Sequence, residues 1–145
     1  MRVLVFVVAA IVLATGTLQA GDGMERFRWA NRPLVVIAPD ADNDGLRRQR
    51  DIADANEAGF RERAVVVISV PGEGPVRVDG EPAPDLTASA LRARFDVGRD
   101  AFRALLVGKD GTVKLARPKP IPAAVLFRTI DAMPMRQREM REQEE

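Results

Sequence analysis

Neither cysteine nor histidine occurs anywhere in the 145 residues. Their absence removes Ser-His and Cys-His catalysis, thiol–disulfide exchange, Cys/His zinc sites and histidine pH switches. With no cysteines to count, disulfide usage says nothing about compartment. Aromatic side chains are scarce too, at 5%, so a core has to be built mainly from Val, Leu, Ile, Ala and a few Phe. Nor does one sign of charge prevail. A total of 22 Lys and Arg against 21 Asp and Glu leaves a formal charge of +1, which supplies no field for nucleic acid or an anionic membrane. Arginine is used far more than lysine, but acids are interleaved with it, as on a mixed solvated surface.

What is present is ordinary for a globular chain, with 46% apolar and 30% charged residues. The length fits one domain. Residues 1–20 read as a cleavable secretory signal: Arg2, then the uncharged apolar run Val3 to Ala14, then Thr15 to Ala20. Twelve apolar residues suit a signal core and fall short of the roughly twenty that a membrane helix needs. Cleavage is expected after Ala20, with the competing reading an N-terminal strand or uncleaved anchor. No later segment is apolar for long enough to span a bilayer. The expected mature chain, from Gly21 on, is therefore periplasmic or secreted, and loss of Arg2 brings its net charge to zero. The roughly 125 residues left can bury about two-thirds of the surface of the unfolded chain, enough for a core without disulfides.

Two β-branched runs, Leu34 to Ala38 and Ala64 to Val70, read as strands buried on both faces. The helix formers between them, from Leu46 to a stop at Gly59-Phe60, complete a βαβ unit with a parallel pair. Pro71 to Asp85 is a Gly/Pro-rich linker with an edge hairpin around Val76 to Gly80. Leu86 to Phe95 is expected to be a helix capped by Asp85. Phe102 to Val107 and Thr112 to Leu115 form a hairpin through Gly108-Lys109-Asp110-Gly111, where Asp-Gly accepts positive φ. A last helix starts near Pro122, with Ala123, Leu126, Phe127 and Ile130 at i, i+3, i+4 and i+7.

The resulting order is β-α-β, linker, α, β-hairpin, α. This is the order of a thioredoxin-like three-layer α/β fold; a ferredoxin-like βαββαβ arrangement would end on a strand. The expected division is a signal at 1–20, a domain at 21–135, and a polar tail at 136–145, a helical extension or frayed end without core contacts.

Three stretches resemble bacterial members of the P-DUDES family, whose function is unknown and whose domain is shared with vertebrate sushi-repeat and other extracellular-matrix proteins. They are Arg28-Trp29 through Asn31-Arg32-Pro33, Leu106 to Gly111 with Val113-Lys114-Leu115, and Ile130-Asp131-Ala132-Met133-Pro134-Met135-Arg136 leading to Glu139-Met140-Arg141. The resemblance implies a thioredoxin-like fold outside the cytoplasm and no established activity. The chain departs from redox-active relatives at both places that matter. Asp40-Ala41-Asp42-Asn43 stands where a Cys-x-x-Cys would sit, and Gly98 to Ala101 lacks the proline those enzymes keep.

One constellation carries chemistry. Asp40-Ala41-Asp42-Asn43-Asp44-Gly45 matches the opening of a calcium loop, with Asp51 at its twelfth position. Alternate carboxylates of a tight loop aim at one point, so Asp40, Asp42, Asp44 and Asp51 are candidate calcium ligands. Against this, a strand precedes the loop, Asp51 is shorter than the usual Glu, and Arg47-Arg48 lie beside it. The competing reading is turn and cap chemistry, with Asp42 or Asp44 capping the helix. Lys109 and Asp110, at a hairpin tip, are expected to be solvated. Met133 and Met135 are candidates for core packing or an adaptable contact patch.

The sequence therefore favours a non-catalytic exported binding or structural domain with an unidentified protein partner and no cofactor. A calcium-dependent module is the alternative. A carboxylate-only hydrolase would need two acids facing across a cleft, and nothing in the spacing suggests one.

Overall fold

A computed structural model describes residues 21–145; the expected signal at 1–20 lies outside the described residues. A single 3-10 turn, Met24–Phe27, precedes β1 (Arg32–Ala38), α1 (Asp44–Ala55), α2 (Glu57–Glu62) and β2 (Val65–Pro71). The short strands β3 (Arg77–Val78) and β4 (Glu81–Pro82) lead to α3 (Ala88–Phe95). The chain ends with β5 (Arg103–Val107), β6 (Val113–Arg117), α4 (Ala123–Asp131) and α5 (Pro134–Glu144).

The sheet order is β4-β3-β2-β1-β5-β6. β1 and β2 are parallel, and every other pairing is antiparallel. The four strands β2-β1-β5-β6 with α1, α3 and α4 have the thioredoxin-like arrangement expected from the order of elements. All seven residues of β1 are buried, because β1 is central and covered on both faces. Alternation along the strands separates two cores. Val35, Ile37, Ile68, Val70, Leu105 and Val107 pack towards α3 and the first turn, joined by Leu86, Leu91 and Phe27. Leu34, Val36, Val67, Ala104 and Leu106 face α1, α2 and α4, joined by Leu46, Phe60, Leu126 and Ile130.

Proline in a central strand ordinarily removes a ladder bond. Here the β1–β5 ladder runs only from Leu34 to Ile37, so Pro33 lies just beyond it. Gln49, on the inner side of α1, is fully buried. Its side-chain amide donates to Ile121 O (3.0 Å) and accepts from Ile121 N (2.7 Å), pairing like a neighbouring strand. That double bond satisfies a polar group that would otherwise cost about 1–3 kcal/mol in the core.

Several local expectations are corrected. The cap of α3 is Thr87, whose Oγ1 accepts from Ala90 N at 3.3 Å; Asp85 pairs with Arg26 instead. The edge hairpin turns through Asp79-Gly80, both at positive φ, the backbone that a two-residue primed turn requires. In the β5–β6 hairpin only Gly111 is left-handed, at φ 81°. Gly108 N donates to Thr112 O at 2.9 Å, giving a longer loop with a bulge.

Residues 136–145 are not a tail free of the core. Arg136 is fully buried on α5, and what fixes it there is charge, which an apolar-periodicity reading does not see. Gly59 does not stop a helix either. It lies inside α2, which ends at Glu62 with Arg63 as its cap and Ala64 left-handed just beyond, at φ 54°.

Gly59 is small because α4 comes close. A Cβ there would lie 2.6 Å from Phe127 Cζ. The ring cannot easily retreat, being held edge-on by Phe60 at 5.8 Å and covered by the Arg63 guanidinium at 4.1 Å. Alanine gains about 1 kcal/mol in helix propensity, while overpacking costs about 1–3 kcal/mol. Gly59→Ala is therefore expected to destabilise the protein by up to about 2 kcal/mol in urea unfolding, against the sign of propensity.

Candidate binding site at the amino-terminal end of the central strand

The three stretches that carry the resemblance, far apart in sequence, meet at the end of the sheet where β1 begins and β5 ends. Arg32, the first residue of β1, is 1% exposed. Its guanidinium donates to Arg63 O at 2.9 Å and grips both oxygens of Glu139 at 3.1 and 3.2 Å. Lys109, in the β5–β6 loop, donates Nζ to the same carboxylate at 2.6 Å. It is half-buried by that contact and not solvated at a tip: its side chain is 16% exposed.

A second set of ions continues from the first. Arg63 holds Asp131 through Nε and Nη2 at 3.0 and 2.9 Å. Arg136 donates to Asp131 at 3.2 Å and to the Glu62 carboxylate at 2.7 Å, and lies 3.8 Å from Glu139. Four cations thus meet three carboxylates across β1, α2, the hairpin, α4 and α5.

The chain break at Met133-Pro134 makes this possible. Met133 N donates back to Ile130 O, closing α4 at 2.9 Å. Pro134 opens α5 at a position where a missing N–H is harmless. Arg136 and Glu139, three residues apart, then share one face of α5 and turn it onto the sheet end.

Charge states follow from these partners. Hydrogen bonds from Arg63, aided by Arg136, outweigh burial and hold the Asp131 carboxyl below its ordinary value. Burial opposes ionisation of Glu139, but the bonds from Arg32 and Lys109 overcome it and its pKa is also lowered. Asp110 is lowered to about 2, by Lys114 first and then by Thr112.

Beside the network, a cavity of about 330 Å3 opens between the hairpin and the α4–α5 break, with Arg32, Lys109, Lys114 and Arg138 among its walls and Met133 and Met135 on its apolar side. The backbone of Trp29 is fastened next to it, Trp29 N donating to Lys109 O at 2.7 Å. Trp29 is 62% exposed and sits at φ 64°.

The opposite pole is closed differently. Arg92 of α3, 9% exposed, donates to Ala38 O and to Gly98 O, each at 2.7 Å. It thereby ties the end of β1 to the loop before β5, where the redox centre of this fold class would lie. No carboxylate pairs with it among the described residues.

At that pole Asp40, Asp42, Asp44 and Asp51 are arranged as turn and helix start. Asp40 Oδ1 accepts from Asp42 N at 2.9 Å, and the cap is Asn43, accepting from Leu46 N at 3.1 Å. Asp44 pairs with Arg47 at 2.5 Å, and Asp51 is exposed. Among the described residues no group of three or more Asp or Glu is placed to hold a metal ion.

Sequence reasoning by chemistry alone passed over Arg32, Asp131, Arg136 and Glu139. Their signals were a charge abutting an apolar strand and an i, i+3 pair in a polar helix. Both are common on surfaces, and only the fold shows Arg32 and Arg136 buried, with Asp131 and Glu139 half-buried against them.

The fold and its two poles define a thioredoxin-like α/β domain without a redox centre. Residues 23–139 match the domain of unknown function DUF4174, and the chain belongs to that family. It is 28% identical over 133 residues to coiled-coil domain-containing protein 80 of Danio rerio, covering 81% of this chain and 15% of that protein. It is also 28% identical over 135 residues to the sushi repeat-containing protein SRPX of Homo sapiens, covering 91% of this chain and 29% of that one. The chain thus spans less than a third of the length of these curated relatives. No solved structure matches.

Three outcomes are expected. Glu139→Gln leaves Arg32 buried without a counter-charge, which for a partly exposed carboxylate should cost about 2–4 kcal/mol in urea unfolding. Because the Glu139 and Asp131 pKa values are depressed, their stabilisation is complete above the ordinary carboxylate values of 4.5 and 3.8. It is lost as pH falls through the lowered ones. Thermal melts should therefore fall more steeply below about pH 4.5 in the wild type than in a Glu139→Gln, Asp131→Asn variant. For the acidic loop, melts in EDTA and in about 5 mM calcium should coincide; a rise of several degrees that Asp42→Ala, Asp44→Ala abolishes would establish a metal site.

Proposed function

We propose that this protein is a non-catalytic, extracytoplasmic binding domain whose binding face is the pole around Trp29, Lys109 and Arg138. The observation that carries it is Trp29. A large aromatic ring stands 62% exposed on a left-handed, non-glycine backbone that a hydrogen bond to Lys109 O holds in place. Strain of this kind costs about 1–3 kcal/mol and concentrates at functional positions. Tryptophan and arginine are the residues that most often anchor protein interfaces. The Met133 and Met135 side chains, which line the cavity with Lys109, are flexible enough to fit a partner.

The other pole supports the same reading from its chemistry. Its loop carries no thiol and no imidazole, and Arg92 fills the space behind it. The extracytoplasmic assignment rests on the leader-like residues 1–20 and predicts a mature chain beginning at Gly21, measurable by N-terminal sequencing of the exported fraction.

Site-specific photo-crosslinking in the producing cell tests the face. A benzophenone side chain at position 29 is expected to give a discrete protein adduct that the same group at position 51 does not. Adducts from position 51 alone, or from neither, would sink the assignment.

A further inference from the structure

We infer that the cavity between the β5–β6 hairpin and the α4–α5 break is a binding site for a small organic anion, an apolar body with a carboxylate or phosphate head. The inference rests on the reading that this pole is the binding face, and assigns it a ligand class.

The cavity has more donors than the protein can satisfy. Of the two acids closest to it, Asp110 is fully committed: Oδ1 accepts from Thr112 N and Oγ1, and Oδ2 from Lys114 Nζ. Glu139 is shared between Arg32 and Lys109. On the donor side, Arg32 is spent on Glu139 and Arg63 O, and its Nε–H is buried out of reach of the cavity. Lys109 and Lys114 each spend one of their three N–H donors on a carboxylate. Arg138 lines the cavity and forms no ion pair among the described residues. Two carboxylates thus serve four cations, so the site is short of negative charge.

The opposite wall is made of Met133, Pro134 and Met135. It offers no hydrogen bond and suits an apolar body, the thioether side chains adapting to its shape. At about 330 Å3 the cavity falls within the size of small-molecule sites, which combine an apolar lining with a few polar groups. Shape and chemistry together exclude a bare cation, which would meet four positive side chains. They also disfavour a polyanion, for which a stripe of charge along an open surface would be needed.

Calorimetric titration of the purified chain with hexanoate, hexyl phosphate and hexan-1-ol is the test, carried to about 20 mM because ligands this small bind weakly. Trp29, the single tryptophan, provides an optical readout through its bond to Lys109. Saturable binding of hexanoate or hexyl phosphate is expected, with the alcohol at least tenfold weaker. The ratio of the two anions identifies the head group. Arg138→Glu, at an exposed position, should weaken the better anion at least tenfold without lowering the melting temperature, and Lys114→Met should weaken it less. Arg61→Glu, also exposed and outside the cavity, should leave affinity unchanged.

No saturable binding of either anion would overturn the inference, as would equal affinity for the alcohol or equal loss with Arg61→Glu. Anion binding without an adduct from position 29 would keep the ligand site and remove the protein partner. An adduct without anion binding would do the reverse.

Discussion

A guanidinium enters the sheet at the first residue of its central strand, and the arrangement of that end of the protein follows from the need to meet its charge. Burying an unpaired cation is prohibitive; burying one that is gripped bidentately by a carboxylate is not. Arg32 has such a grip from Glu139. That one contact requires α5 to lie against the sheet end, which requires the break at Met133-Pro134, which places two methionines over the hairpin. Asp131 and Arg136 then find Arg63 and Glu62. Buried ion pairs are weak evidence for net stability, but losing one partner is costly, so the set behaves as a unit. What the network supplies is position: it fixes where the hairpin, α5 and Trp29 stand relative to one another.

The two poles of the domain show how a fold can change its working end. In the thioredoxin-like arrangement the loops after β1 and before β5 form the reactive surface. Here those loops are fastened from beneath by Arg92, whose acceptors are backbone carbonyls. The features that face solvent with an unmet demand, an exposed tryptophan and a basic cavity, lie at the other end of the same strands.

Much of the architecture was legible because it is written in apolar periodicity. The β-branched runs of β1 and β2 and the i, i+3, i+4, i+7 stripe of α4 each have one good solution, burial, and the order of elements then leaves few topologies. The candidate site was not legible in that way. Arg32, Arg63, Arg136 and Glu139 are of residue types that usually sit in solvent, and their pairing depends on contacts between segments up to 107 positions apart. The family resemblance pointed to the stretches without saying that they meet. The acidic loop is ambiguous for another reason, since the Asp and Asn residues that ligate calcium are also those that make turns and caps. Gly59 was read as a stop because glycine at positive φ is the commoner use; close approach of Phe127 leaves no trace in local sequence.

The spacing of Arg136 and Glu139 carries a consequence of another kind. Three residues on a helix span 300° of rotation, which brings the two side chains back to nearly the same side. One inserted residue between them would turn Glu139 by about 100°, away from Arg32 and Lys109 and out into water. The exposed positions of α5 other than Arg138 can therefore drift in composition, while the first turn and a half of the helix is fixed in length. In this helix phase, more than residue identity, is the conserved quantity to expect: its sequence should tolerate many substitutions and almost no insertion or deletion before Glu139.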